Sequence, residues 1–314
     1  MGGTVITVPL DVGLVGLPGS GKTTVFKALT RAGADAYGKA HLGVAAIPDE
    51  RLDPLASALH SAKATPATMH VVDPPGLSPA VLGELRQVDA LFAVGRNFGQ
   101  DVDPAGDREA LLLELVVADR DHVERRLERV RTQAKSGDPA LRKQVEDLER
   151  VLAHLEAGRQ LGDYQEETPP ELEPLTTKPI VWLANGGENG IDFQLEAELA
   201  ELEPPEAAAF REGPPPLESL HDYLFEELGL ITFFTGNEKE TRAWTLRRGQ
   251  TALDAAAAVH TDMARGFIRC EVVGWSELVE AGGRAEAARR GLQRLEGKDY
   301  VLADGDVLQI RFNV

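Results

Sequence analysis

The sequence has one cysteine, Cys270, three methionines and only 5% aromatic residues in 314. A single thiol excludes an internal disulfide framework and any zinc site built on several cysteines. No apolar run approaches the roughly 18 to 20 residues that span a bilayer. The stretch Met1–Leu10 lacks the basic segment and apolar core of a secretory signal. Basic residues are also scarce: 33 Lys and Arg stand against 51 Asp and Glu, a formal net charge of −18. Such a chain repels phosphate and is no general nucleic-acid coat. The deficit is uneven, because residues 230–314 hold 12 basic and 12 acidic residues and residues 1–229 carry all of the excess. This asymmetry points to modules with different partners, and acidity also serves solubility. The expectation is a soluble, cytoplasmic chain of a reducing compartment. Its 43% hydrophobic and 27% charged residues suit two or three domains without covalent staples.

What is present begins with short apolar runs. Asp11–Val15, Met69–Val72, Ala90–Val94 and Pro179–Ala184 read as buried parallel strands separated by helical patterns, an α/β layer. From about Asp107 the pattern changes. Val123, Leu127 and Val130 recur at i, i+4, i+7, as do Leu148, Leu152 and Leu155. Between the two sets, Gly137 can end one helix, Asp138 cap the next and Pro139 fill its first turn. An inserted antiparallel helical hairpin is the natural reading, with its leucines and valines as core. Residues 159–178 read as a polar connector and Gly213–Pro216 as a surface loop. Beyond Leu228, β-rich ends (230–235 and 307–312) flank an Ala-rich helix near 252–259, a small α+β domain.

Gly16-Leu17-Pro18-Gly19-Ser20-Gly21-Lys22-Thr23 matches G-x-x-x-x-G-K-[ST] between an apolar strand and a helix start. Glycines let the backbone curl so that its N–H groups point inward at phosphate, and the helix presents its positive end. Lys22 is the candidate catalytic residue, reaching the β and γ phosphates, and the Thr23 hydroxyl is a candidate Mg²⁺ ligand. Asp73-Pro-Pro-Gly76 follows the strand at 69–72 and reads as D-x-x-G. Asp73 can hold Mg²⁺ through water and the Gly76 N–H can meet a γ-phosphate. Asp-Pro-Pro-Gly is also an ordinary turn. Asn185-Gly-Gly-Glu188 stands where GTPases carry N-K-x-D, with glutamate for the acid and Gly186 for the lysine; alone it is a generic turn. The seven histidines show no ligand spacing and read as surface or capping residues. Arg242, Arg247, Arg248, Arg265 and Arg269, with Trp244 and Phe267 among them, face either RNA or solvent.

Together these residues resemble the YchF-type Obg-like ATPases, a branch of the translation-factor-related P-loop GTPases. The resemblance covers most of the chain. Its most specific segments are Leu228–Thr235, Glu240–Leu246, His260–Arg269 and Leu295–Val301, which look like that family's C-terminal TGS-type domain. The implied fold is an α/β P-loop NTPase parallel sheet with an inserted antiparallel helical hairpin and a C-terminal ubiquitin-like β-grasp domain of the TGS type. The implied divisions are 1–106 and 171–227 for the nucleotide domain, 107–170 for the hairpin and 228–314 for the TGS-type domain. The resemblance further implies nucleotide contacts from Leu17 to Thr24 and from Gly76, Asn185 and Glu188, with Mg²⁺ at Thr23 and Asp73. ATP is expected over GTP, and the ribosome or ribosomal RNA is expected as partner, with no membrane and no DNA.

The sequence departs from that family where catalysis is concerned. Residues 31–64 contain no threonine for switch I, and their only serines, Ser57 and Ser61, read as helical. The stretch after Gly76 is short, and Leu77 stands where Ras-like enzymes orient water with glutamine. The Ser-Ala-Lys base contact expected near 190–197 reads Ile191-Asp-Phe-Gln-Leu195. A slow Mg²⁺-dependent ATPase therefore competes with a hydrolysis-deficient nucleotide-sensing or structural module. A P-loop kinase is a third reading, against which stand the missing Arg-rich lid and the TGS-like segment.

Overall fold

The computed structural model describes residues 10–30, 41–76, 79–211, 218 and 220–313. Gly213–Pro216 and Leu77 lie outside them. The strands in chain order are β1 (Leu10–Val15), β2 (His41–Ile47), β3 (Ala64–Thr65), β4 (Ala67–Asp73), β5 (Ala90–Arg96) and β6 (Ile180–Asn185). They continue with β7 (Leu230–Gly236), β8 (Thr241–Arg247), β9 (Phe267–Gly274), β10 (Arg294–Glu296) and β11 (Asp306–Phe312). Two sheets result, in the orders β2-β4-β1-β5-β6 and β10-β9-β11-β7-β8-β3.

In the first sheet β5 pairs parallel with both β1 and β6. Val12, Leu14 and Val15 of β1, and Ala90 to Val94 of β5, are buried, which explains why these strands read as unbroken apolar runs. The helices of this part are α1 (Lys22–Thr30), α2 (Leu52–Ala58), α3 (Pro79–Leu85), α4 (Pro104–Ala134) and α5 (Pro139–Glu156). Asp103 caps α4 by accepting from the Gly106 N–H at 3.0 Å, and Asp138 caps α5 through the Ala140 N–H at 2.8 Å. Val123, Leu127 and Val130 of α4 pack with Leu148, Val151 and Leu155 of α5 in one buried cluster. Leu152 lies at its edge.

The connector is less polar in its contacts than in its composition. Leu161, Leu172 and Leu175 are buried on three short 3-10 turns. Asp119 of α4 fixes the last of these, accepting from the backbone N–H groups of Leu175 and Thr176, both at 2.9 Å, and from Arg86 at 2.6 Å. The remaining helices are α6 (Phe193–Leu199), α7 (Pro204–Phe210), α8 (His221–Glu227), α9 (Ala252–Val259), α10 (Thr261–Arg265), α11 (Trp275–Ala281) and α12 (Arg284–Arg289).

The chain forms two compact units. One contains Asp11–Gly43 and Val71–Leu202; the other joins Val44–His70 to the chain from Glu203 onward. In the second unit β7 pairs antiparallel with β8 and parallel with β11, which pairs antiparallel with β9. The core beneath this sheet contains Ile231, Phe233, Leu246, Ala255, Val272 and Cys270. Burial pushes the Cys270 thiol up to about 11, so it is an inert core residue. Arg51, just before α2, binds both Asp49 at 2.7 Å and Asp304 at 2.6 Å within the same unit. Ser61 differs from its helical expectation. His60, with φ of 53°, turns the chain out of α2, and the Ser61 hydroxyl bonds the Asn237 carbonyl at 2.5 Å.

Candidate functional site

β1 ends at Val15 and delivers the chain into the loop Gly16–Gly21, and Lys22 opens α1. Val25, Phe26 and Leu29 bury one face of α1, so packing fixes the direction of its N-terminal end. The loop is tight. A Cβ on Gly16 would sit 2.6 Å from Ser20 Oγ and 2.7 Å from the Val94 carbonyl, so only glycine fits there. Pro18 and Gly19 are exposed, and Ser20 is buried.

Lys22 is half-buried, and its ammonium donates to the Gly16 carbonyl at 2.8 Å. Burial pulls its pKa below that of an ordinary lysine, and the carboxylates of Asp73 and Glu114 oppose that shift. Thr24 continues α1. Asp73 ends β4 and is 2% exposed. Its Oδ2 accepts the Thr23 hydroxyl at 2.9 Å and lies 3.3 Å from His41 Nδ1. Its Oδ1 is buried without a hydrogen-bond partner among the described residues. A buried carboxylate oxygen with no donor, next to a hydroxyl, is a hard-oxygen set that fits Mg²⁺. Among the described residues no three His, Cys, Asp or Glu side chains gather as a metal cage, so phosphate oxygens and water would complete the coordination.

A cleft of about 770 Å³ opens beside the loop, lined by Gly16, Pro18, Lys22, Gly76, Glu114 and Arg125. Leu17 and Ser20 instead line a separate cavity of about 250 Å³ with Asn97, Asn189, Arg108 and Trp182, where the Arg108 guanidinium stacks 4.4 Å from the Trp182 ring. Asn185 is buried, and its side-chain amide donates to the Ser20 carbonyl at 3.0 Å. The Asn97 amide holds the Gly186 carbonyl at 3.0 Å, tying the ends of β5 and β6 together. A Cβ on Gly187, whose φ is +77°, would come 2.7 Å from the Asn97 carbonyl, so this turn also requires glycine. Glu188 is exposed on the turn. Ile191 bridges back to Asn185 and Asp192 caps α6, which accounts for the residues found where a Ser-Ala-Lys contact was expected.

Three residues of this site were not singled out from sequence. His41 is signalled only as a polar residue at the start of an apolar strand after α1. Glu114 sits among the leucines of α4, and Asn97 follows β5. The passage from Asp73 to Pro79 contains just five residues.

A family model named YchF-GTPase_C, described as "Protein of unknown function (DUF933)", matches residues 230–313. Over nearly its whole length the chain is similar to the ribosome-binding ATPase YchF of Bacillus subtilis (strain 168). The two are 35% identical, with 97% of this chain and 100% of that protein covered. The chain belongs to the YchF family. This YchF-family chain is likewise 35% identical to the ribosome-binding ATPase YchF of Escherichia coli O157:H7, covering 96% and 99% of the two chains. Obg-like ATPase 1 of Oryza sativa subsp. japonica is 30% identical, with 97% and 92% covered. The solved structure of the Schizosaccharomyces pombe YchF GTPase matches with a TM-score of 0.77 at 25% identity, covering 96% of this chain and 97% of that one. The fold is therefore the α/β P-loop type. The alignment with the Bacillus protein spans 364 positions against a chain of 314 residues, so at least 50 positions lie opposite gaps.

Proposed function

We propose that this chain is a slow, nucleotide-controlled ATPase that associates with ribosomes. The observation that carries the reading is the phosphate loop with Lys22 on a cleft, beside a Thr23 hydroxyl bonded to Asp73 Oδ2 while Asp73 Oδ1 is buried and unpaired. In this reading the backbone N–H groups of Leu17 to Lys22 and the Lys22 ammonium bind the triphosphate, and Gly76 approaches its γ end. Thr23 and Asp73 would hold Mg²⁺, which when bound supplies charge neutralisation of the phosphates. His41 keeps the Asp73 carboxylate oriented. ATP is preferred over GTP through the Asn185–Glu188 turn, whose glutamate and glycine lack the guanine-selective acid and lysine. The names of the relatives support ribosome association, and a ribosomal partner fits a cytoplasmic chain. The second compact unit is read as a TGS-type β-grasp from residue 228 on, and α4–α5, from Pro104 to Glu156, as the inserted hairpin expected over 107–170.

Turnover is expected to be slow, on the order of 10⁻⁴ to 10⁻³ per second, because Leu77 stands in the sequence where Ras-like enzymes carry the glutamine that orients water. A hydrolysis-deficient sensor is the second reading, favoured by the five-residue passage after Asp73 and by the absence of threonine from residues 31–64. Calorimetric titration with ATP and GTP, with and without Mg²⁺, tests binding, and single-turnover hydrolysis separates the two readings. Lys22→Ala should nearly abolish triphosphate binding. A loss below about 1 kcal/mol would remove the phosphate loop from the mechanism.

A further inference from the structure

One wall of the cleft beside the phosphate loop is the helix α4, and it carries an open carboxylate. Leu111, Leu115 and Ala118 of α4 pack in one buried cluster with Val15 of β1 and Leu91 of β5, so the helix is held in a fixed rotation on the sheet. That packing turns the neighbouring stripe, Ala110, Glu114, Val117 and Asp121, onto the cleft, where Lys22 and Gly76 also stand. Glu114 is exposed to the cleft and makes no hydrogen bond or ion pair among the described residues.

The other carboxylates nearby have work already. Asp73 Oδ2 is taken by Thr23 and His41. Asp121 is paired with Arg120 at 2.6 Å, and it lies two turns, about 10 Å, further along α4. The helix itself gives Glu114 no cation to stabilise, because Ala110, Leu111, Val117 and Ala118 occupy the positions three and four residues away. The charge of Glu114 is felt elsewhere: after Asp73, it is the carboxylate that supports the Lys22 ammonium against the cost of burial.

Hydrolysis of a triphosphate needs a group that accepts a hydrogen bond from the attacking water. Leu77, which follows Gly76, has no side-chain acceptor. A terminal phosphate held by Lys22 and the Gly76 N–H would leave the rest of the cleft, about 770 Å³ in all, to water on the side of α4. There Glu114 is the open acceptor. A carboxylate also repels the phosphate across that water, so it is a weaker device than a neutral glutamine amide, in keeping with slow turnover. Mounted on a packed helix, it needs no loop closure to be in place.

We propose that Glu114 is a catalytic residue that binds and deprotonates the attacking water, a role that rests on the ATPase reading above. The water oxygen bonds to the γ-phosphorus as the bond from that phosphorus to the β–γ bridging oxygen breaks. The bridging oxygen keeps the electron pair and leaves on ADP. One proton of the water passes to the Glu114 carboxylate, leaving hydrogen phosphate, and Glu114 then releases that proton to solvent through the open cleft.

The test compares the full wild-type chain with Glu114→Gln and Glu114→Asp. Each is titrated calorimetrically with ADP and with adenylyl imidodiphosphate, a triphosphate analogue that resists hydrolysis, and each is followed through a single turnover of ATP. Glu114→Gln should melt with wild type, since an exposed side chain without a partner is exchanged for one of equal size. Its ADP affinity should be unchanged and its analogue affinity equal or tighter, because only the terminal phosphate loses a repelling neighbour. Its hydrolysis rate should fall on the order of tenfold to a hundredfold, a modest general-base effect because the transition state is loose. Glu114→Asp, with a shorter reach, should fall between the two. A rate for Glu114→Gln within about threefold of wild type overturns the proposal, as does a parallel loss of ADP and analogue affinity, which would mark a structural role. Wild-type protein that binds the analogue and never turns ATP over also overturns it and leaves the sensor reading standing. Wild-type protein that binds neither nucleotide would overturn the ATPase reading and this proposal with it.

Discussion

The side-chain amide of Asn185 donates to the carbonyl of Ser20 at 3.0 Å, across 165 residues of sequence, and both residues are buried. The first residue of the turn after β6 thus holds the phosphate loop in shape. Asn185→Ala leaves the Ser20 carbonyl buried and unpaired, a cost of about 1–3 kcal/mol. Affinity for ATP and GTP should fall together, about tenfold, in a calorimetric titration. A loss confined to one base would show that Asn185 reads the base.

Asp73 divides its two oxygens between different tasks. Oδ2 is held by Thr23 and His41, and Oδ1 has no hydrogen-bond partner among the described residues. Asp73→Asn keeps the shape and removes the charge a cation needs. Triphosphate affinity of this variant in Mg²⁺ should drop to the value that wild-type protein shows in a chelator. If Mg²⁺ still strengthens binding as much as in wild type, the metal is held elsewhere.

Asp119 is buried in α4 and takes Arg86 at 2.6 Å together with two backbone N–H groups and the Thr176 hydroxyl. Asp119→Ala strands the Arg86 charge, and breaking a buried pair in this way costs about 3–5 kcal/mol. Denaturant unfolding should show a loss of that size, largely recovered by pairing Arg86→Met with Asp119→Leu. A loss under about 1 kcal/mol would mean that water replaces the pair.

How much of this was legible in the sequence follows the range of each interaction. The loop from Gly16 to Thr23 is contiguous, so spacing alone carries it, and the apolar strands announce the sheet that presents it. Ser57 lies in α2 as expected, but Ser61 does not, because nothing local marks His60 as a left-handed exit. The His41–Asp73 and Asn185–Ser20 contacts join residues far apart in sequence and leave no periodic trace. The unpaired Nε and Nη1 of Arg284 are illegible for a further reason: the carboxylate of Glu271 is taken by Arg311 and Gln293. The grouping of Val44–His70 with the C-terminal part likewise rests on long-range contacts, among them Arg51 with Asp304 and β3 with β8.

Base choice is the last prediction. Guanine selection needs an acid that meets two donors at once and a lysine stem against the ring. Glu188 is one methylene longer than that acid and is exposed. Gly186 has no stem, and its φ of +81° is a backbone that a lysine adopts only with strain. A Cβ there would also approach Phe98 Cβ at 3.1 Å. Adenine presents an acceptor at N1 and gains nothing from a carboxylate, so packing and backbone groups must hold it. Wild-type protein should bind ATP as well as or better than GTP, with discrimination of about 1–3 kcal/mol at most. Glu188→Asp should move the ratio toward GTP without loss of stability. Adding Gly186→Lys should move it further and lower the melting temperature, the left-handed backbone costing about 1–2 kcal/mol. Wild-type protein that holds GTP at least tenfold more tightly than ATP would sink the base assignment, and an unchanged ratio in both variants would move base recognition away from this turn.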